Sequence, residues 1–190
     1  MLTEEQKLHN RERFIDLLSR LSDCKQEELI KYLDSKNYFE MPATSQYQRS
    51  YAGGLCEYAL ALCHELGNVV SMYAPGRYTA EDLIKVALFR DIYRVEMYEI
   101  GTRNVKNSAG DWEAQAYYKT KDARPVFGDL GFSSYMIAKD FVSLNNEQIE
   151  AICNSSYRDS RTPDIQEIFR AYPLVTLTHM ADMAATYIGG

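Results

Sequence analysis

The sequence predicts a mostly helical domain that carries one β-hairpin. Apolar residues recur at helical spacing through most of the chain, and one of those stretches opens with a capping-box signature. Only one segment, between about residues 97 and 120, shifts to strand-like runs around a turn cluster.

Thr3, with Gln6 three residues on, caps a first helix whose apolar positions are Leu8, Phe14, Ile15, Leu17, Leu18 and Leu21. A second short helix covers about Gln26 to Ser35, with Leu29, Ile30 and Leu33 on one face. Pro42 and small polar residues make 37–50 a loop. Gly53-Gly54 then opens a helix, LCEYALALCHEL, that is apolar almost all round and therefore deeply buried. After a turn at Pro75-Gly76, Thr79 caps AEDLIKVALFRDI. The runs 97–100 and 114–120 flank Asn107-Ser108-Ala109-Gly110-Asp111, which reads as a hairpin turn. Three further helices are expected at 133–142, 146–154 and 165–188, the last broken or kinked at Pro173, and 122–125 reads as a loop.

At 190 residues and 46% hydrophobic, the chain suits one domain, 1–190, with N-terminal helices over 1–36 and a core over 37–190. Its net charge of -6 repels a phosphate backbone at long range and argues against non-specific nucleic-acid binding. A small phosphorylated ligand held by local arginines stays compatible with it. The 15 tyrosines, against 7 phenylalanines, call for hydroxyl partners of the kind found at interfaces and ligand pockets. Neither a signal peptide nor a membrane-spanning run is visible, and the expected location is cytoplasmic. Cys24, Cys56, Cys63 and Cys153 show no zinc spacing and read as small hydrophobes in a reduced environment. Phosphate-loop, dinucleotide-loop and nucleophile-elbow motifs are missing. His64 falls off the face of Tyr58 and reads as a core histidine, His9 as a surface residue.

Three helical blocks and the hairpin between them resemble, in order, the HD-domain metal-dependent phosphohydrolases. They are ATSQYQRSYAGGLCEYALAL, VALFRDIYR and YPLVTLTHMADMAATYI, with GTRNVKNSAGDW and AQAYYKT resembling a bacterial and phage-associated branch. The likeness runs from about Tyr38 to Ile188 and implies an HD-domain-like helical bundle with a hairpin insertion. Members of that superfamily bind one or two divalent metals through histidines and two aspartates, and the metal generates hydroxide from water. The resemblance places Tyr58 where the first histidine stands, Arg90 at the histidine of the His-Asp pair, and Gln48, Leu130 and Ser155 at further ligand positions. Only Asp91 and Asp182 remain, with His179 three residues before the second.

A guanidinium about 4 Å from a divalent ion costs several kcal/mol, since one unit pair at an effective dielectric near 20 is already worth about 4. Arg90 is therefore expected to replace the metal and to neutralise Asp91 and Asp182, with no metal and no cofactor. Two outcomes are open. In one, the residues form an internal salt bridge in a scaffold. Alternatively, the old substrate pocket persists and grips a phosphorylated ligand of nucleotide type, as arginine pairs with phosphate and tyrosine stacks on a base. The candidate ligand-binding residues are Tyr47, Arg49, Tyr58, Arg90, Tyr93 and Arg94, with Arg103, Lys106, Tyr118 and Lys119 from the hairpin. The leading expectation is a catalytically inactive binder, with sequestration of a defence signal suggested by the phage-associated likeness. A residual hydrolase using Asp91 and Asp182, and a homo-oligomeric or protein-binding module, are the alternatives.

Overall fold

The computed structural model describes residues 1–108, 110–122, 130–154 and 165–188. Eight α-helices and one two-stranded antiparallel sheet make up those residues. In α1 (Glu4–Ser19) the Thr3 hydroxyl accepts from the Gln6 N–H at 3.2 Å, and the Gln6 side chain accepts from the Thr3 N–H at 2.8 Å. Both orphan donors of the helix start are thereby satisfied. Phe14 and Leu18, one turn apart, point inward, whereas Leu8 is exposed, so the buried stripe of α1 begins one turn later than the sequence pattern suggests.

α2 (Gln26–Ser35) buries Leu29 and Leu33, and a 3-10 turn at Tyr38–Glu40 follows in the stretch expected to be loop. α3 (Gly54–Tyr73) is the central helix. Its first half, from Leu55 to Leu62, is buried on nearly every side, which is what an all-round apolar stretch requires. Gly53 starts it at φ 83°, in the left-handed region that glycine adopts freely. α4 (Ala80–Phe89) begins with a second capping box, Thr79 with Asp82, and ends in a 3-10 turn over Ile92–Glu96.

β1 (Tyr98–Lys106) and β2 (Trp112–Thr120) pair in register from Tyr98 opposite Thr120 to Lys106 opposite Trp112. Gly110, at φ 89°, closes the turn between them. α5 (Leu130–Ala138), α6 (Asn146–Asn154), α7 (Ile165–Ala171) and α8 (Pro173–Tyr187) complete the chain. The helix expected at 133–142 thus starts earlier and ends at Ala138. The single helix expected over 165–188 is two helices, with Pro173 in the first turn of α8, where its missing N–H costs nothing. Glu147 caps that start by accepting from the Leu174 N–H at 3.1 Å and from the Tyr78 hydroxyl at 2.6 Å. Of the loop expected at 122–125, residues 123–125 lie outside the described residues, as does the Ser155 position.

The interior divides into two clusters that share α3. One gathers Phe14, Leu18, Leu33, Tyr38, Leu55 and Leu88; the other gathers Leu62, Leu66, Val86, Leu174, Val175 and Ala181. α3 and α8 therefore lie side by side, with α4 against α3, which brings the end of α4 to the flank of α8. His64 is 68% exposed beside Glu65 and Asn68, a correction to the core histidine expected from sequence: its helix position faces solvent once α8 and α4 have taken the other faces. Cys56 is buried, the other three cysteines partly so, and all four are free thiols. Among the described residues no helix is long and apolar enough to cross a membrane.

α5 meets α6 so closely that a Cβ added at Gly131 would lie 2.2 Å from the Cys153 carbonyl oxygen. Gly131→Ala is therefore expected to force the two helices apart and to lower unfolding stability by about 1–3 kcal/mol in urea titration. Gly67→Ala, where added atoms meet nothing, serves as the matched control and is expected to leave stability unchanged or improved.

Candidate functional site

Three elements converge where α4 ends. α3 presents Tyr58, the end of α4 and the 3-10 turn after it present Arg90, Asp91 and Arg94, and α8 presents Asp182. Arg90 and Asp91 are 3% and 4% exposed. The Arg90 guanidinium donates from Nη1 to the Tyr58 hydroxyl at 2.8 Å and to Asp91 Oδ2, and from Nη2 to Asp182 Oδ2 at 2.8 Å. The Tyr58 hydroxyl in turn donates to Asp182 Oδ1, which also accepts from Thr186 at 3.3 Å. Arg90, Tyr58 and Asp182 thus form a closed ring of hydrogen bonds.

Arg94 extends the network. Its Nε donates to Asp91 Oδ1 at 2.6 Å, and its Nη1 donates to the Ala43 carbonyl at 2.6 Å and to the Tyr98 hydroxyl at 3.3 Å. The Arg94 guanidinium also stacks 5.3 Å from the Tyr93 ring centre. Ser134 of α5 locks the backbone beneath: its hydroxyl donates to the Arg90 carbonyl at 2.7 Å and accepts from the Tyr93 N–H at 3.3 Å. Two guanidiniums face two carboxylates, so the cluster carries no net charge.

The electrostatics follow from that balance. Burial alone raises the Asp91 carboxyl, but the Arg90 and Arg94 guanidiniums pull it below the usual carboxylate range. Burial lowers Arg90, yet Asp91, Tyr58 and Asp182 together hold it above its ordinary value. Burial dominates at Tyr58, pushing its phenol well up although Arg90 opposes the shift, so the hydroxyl keeps its proton. Tyr93 is pushed up to about 12, again by burial. Arg90 thus stays charged, Asp91 ionised and Tyr58 protonated, as the hydrogen bonds among them require.

Arg49 lies at the margin of this cluster. Its Nη1 donates to the Ala185 carbonyl at 2.8 Å, its Nε stands 3.6 Å from Glu57, and its guanidinium lies 5.9 Å from the Tyr58 ring centre. Glu57 also accepts from Tyr51 at 2.5 Å. Of the ten candidate ligand residues, Arg49, Tyr58, Arg90, Tyr93 and Arg94 gather here. Tyr47 is 79% exposed, and the hairpin residues find partners elsewhere. Arg103 stacks on Tyr117 and bonds Gln115, Lys106 stacks on Trp112, Tyr118 bonds the Glu40 carbonyl and Lys119 pairs with Glu99.

Sequence reasoning missed Ser134, Tyr98, Thr186 and Glu57. Thr186 stands one helical turn after Asp182, a spacing that sequence displays, whereas nothing in the sequence ties Ser134 to Arg90 across 44 residues. Two shallow depressions lie away from the cluster, one lined by Asp23, Lys25, Lys139 and Asp140, the other by Asn145, Glu147 and Tyr172. Neither borders Arg90.

The residues present do not fit the metal that the resemblance implies. Both carboxylates are already bound by guanidiniums, and Gln48 is exposed. Among the described residues, no group of three histidine, cysteine or acidic side chains is placed to hold an ion. No family model, curated protein or solved structure matches the chain. The likeness to HD-domain phosphohydrolases therefore rests on the sequence motifs.

Removing one member of a buried pair leaves its partner desolvated and uncompensated. Asp182→Ala is accordingly expected to cost about 3–5 kcal/mol of unfolding stability. A separate pH signature belongs to Asp91. Its folded carboxyl titrates below its unfolded value, so the stabilisation is complete above the unfolded value, about 3.9, and is lost as pH falls through the folded one. Denaturation at pH 7 and pH 3 is expected to show that loss in the wild type and a flatter dependence, from a lower starting point, in Asp91→Asn.

Proposed function

We propose that this protein is a catalytically inactive scaffold, an interaction module whose ion-pair cluster holds helices together where the HD-domain resemblance would put a metal. The observation that carries the reading is what Arg90 holds. Buried at 3% exposure, it donates to Asp91, Tyr58 and Asp182, two of them carboxylates that a metal would need. A hydrolytic metal would have to displace a guanidinium from both aspartates, and no group of three histidine, cysteine or acidic side chains among the described residues is placed to hold it.

The competing reading is a receptor for a phosphorylated ligand of nucleotide type, bound without cleavage. What supports it is the grouping of Arg49, Arg90 and Arg94 with Tyr58 and Tyr93 around one point. What weighs against it is charge: Arg90, Arg94 and Arg49 are each matched by Asp91, Asp182 or Glu57. A phosphate reaching Arg90 has to take the place of Asp182, the more exposed of its two carboxylate partners, and burying a dianion there must repay the loss of that pair.

Thermal denaturation against a panel of mono-, di- and cyclic nucleotides separates the two readings, with phosphate release measured in magnesium and manganese beside it. The scaffold reading expects no shift in Tm with any nucleotide at millimolar concentration and no release above a blank. A stabilisation that saturates and vanishes in Arg90→His establishes the receptor. Metal-dependent turnover abolished by Asp91→Ala restores the hydrolase.

A further inference from the structure

We infer that the outer edge of β2 is a self-association surface, pairing antiparallel with β2 of a second copy to make a four-stranded sheet. The hairpin is a two-stranded ribbon, so both of its strands are edge strands. Such a ribbon is marginal by itself in water and offers a row of unpaired backbone groups. Most of β1 and the first five residues of β2 are exposed. One face carries Ile100, Thr102, Ala114, Ala116 and Trp112, and Ile100 and Trp112 are 67% and 68% exposed.

The ladder fixes which backbone groups are free. At the turn the Asn107 N–H donates to the Asp111 carbonyl, and at the root the Lys121 N–H donates to the Met97 carbonyl. Hydrogen-bonded pairs alternate with non-bonded ones along an antiparallel ladder. The odd-numbered residues of β2 therefore bond to β1, and Trp112, Ala114, Ala116, Tyr118 and Thr120 turn their N–H and C=O groups outward. A partner strand must meet those five.

A two-fold axis at Ala116, the middle of β2, engages all five at once and keeps like faces together. It sets Ala116 against Ala116 of the second copy, Ala114 against Tyr118, and Trp112 against Thr120. On the other face it sets Glu113 opposite Lys119, twice by symmetry, in non-bonded pairs where side chains approach closest. Lys119 already holds Glu99 at 2.7 Å, so each copy contributes to a row Glu99–Lys119–Glu113 of alternating sign. The corresponding register on β1, centred on Thr102, sets Glu99 against Val105 and Arg103 against Gly101, with no opposite charges. The charge pattern thus selects β2 and a second copy of this chain. Ala116, small and central, leaves the strands free to approach.

This inference deepens the interaction-module reading by naming its partner, and its test is independent of the nucleotide panel. Light scattering on the purified chain at tens of micromolar is expected to give twice the chain mass of 21.8 kDa. Glu113→Lys, whose neighbour within the hairpin is Val105, is expected to weaken the dimer about tenfold or more. Glu113→Lys combined with Lys119→Glu and Glu99→Lys, which inverts every sign along the row and keeps the alternation, is expected to restore it. Ala116→Pro removes an outward N–H that the hairpin does not use, and is expected to give a single-chain mass with helical circular dichroism intact. A wild-type single-chain mass overturns the inference, as does a dimer that Glu113→Lys and Ala116→Pro both leave at wild-type strength. Either result leaves the reading of the Arg90 cluster untouched.

Discussion

The Arg90 guanidinium between Asp91 and Asp182 is the interaction on which the rest of the structure depends. It joins the end of α4 to α8, and through Tyr58 it joins both to α3, so three helices meet at one cation. None of the four charged groups of the cluster tolerates burial alone: an isolated ion in this interior costs several kcal/mol, and only the alternation of sign makes the arrangement stable. The geometry is correspondingly demanding. Arg90 needs its helix to end where it does, Asp91 needs the 3-10 turn that brings Arg94 alongside it, and Asp182 needs α8 to begin at Pro173 in the register it has.

Two other buried polar groups repeat the same solution at smaller scale, whereas the hydroxyl of buried Thr178 finds no partner among the described residues. Lys85, 7% exposed on α4, is held by Asp23 at 2.9 Å, Glu81 at 3.3 Å and the Ser143 carbonyl at 3.0 Å. Buried Gln148 bonds Asp82 at 2.8 Å and accepts from the Asn145 N–H at 2.8 Å. In each case a polar group has been brought inside together with partners for its donors or acceptors. Such clusters specify helix register, since a slip of one residue strands a charge, and they leave little free donor capacity for a ligand.

Much of the fold was legible in the sequence because its signals are local. The capping box at Thr3, the cap at Thr79, the all-round apolar start of α3, and the turn cluster 107–111 each determine their own element. Helix ends were less legible. α5 stops at Ala138 with no proline or glycine to mark it, because tertiary packing decides there. His64 was misplaced for a related reason: periodicity says that a helix has a buried side, but which side depends on where α4 and α8 dock. The expectation that Arg90 would sit with Asp91 and Asp182 came from aligning motifs. The supporting Ser134 and Tyr98 contacts join segments with no motif in common.

The contrast between the two ends of the molecule bears on what it does. At the helical centre every cation has its anion, and added ligand must first break something. At the hairpin the reverse holds: backbone donors and acceptors stand unpaired along both edges, and Trp112 and Ile100 face solvent. Recognition draws more readily on groups bonded only to water, because pairing them exchanges hydration and breaks no bond within the protein. By that criterion the central arginines, however suggestive their residue types, are the poorer binding site, and the plain edge of β2 is the better one.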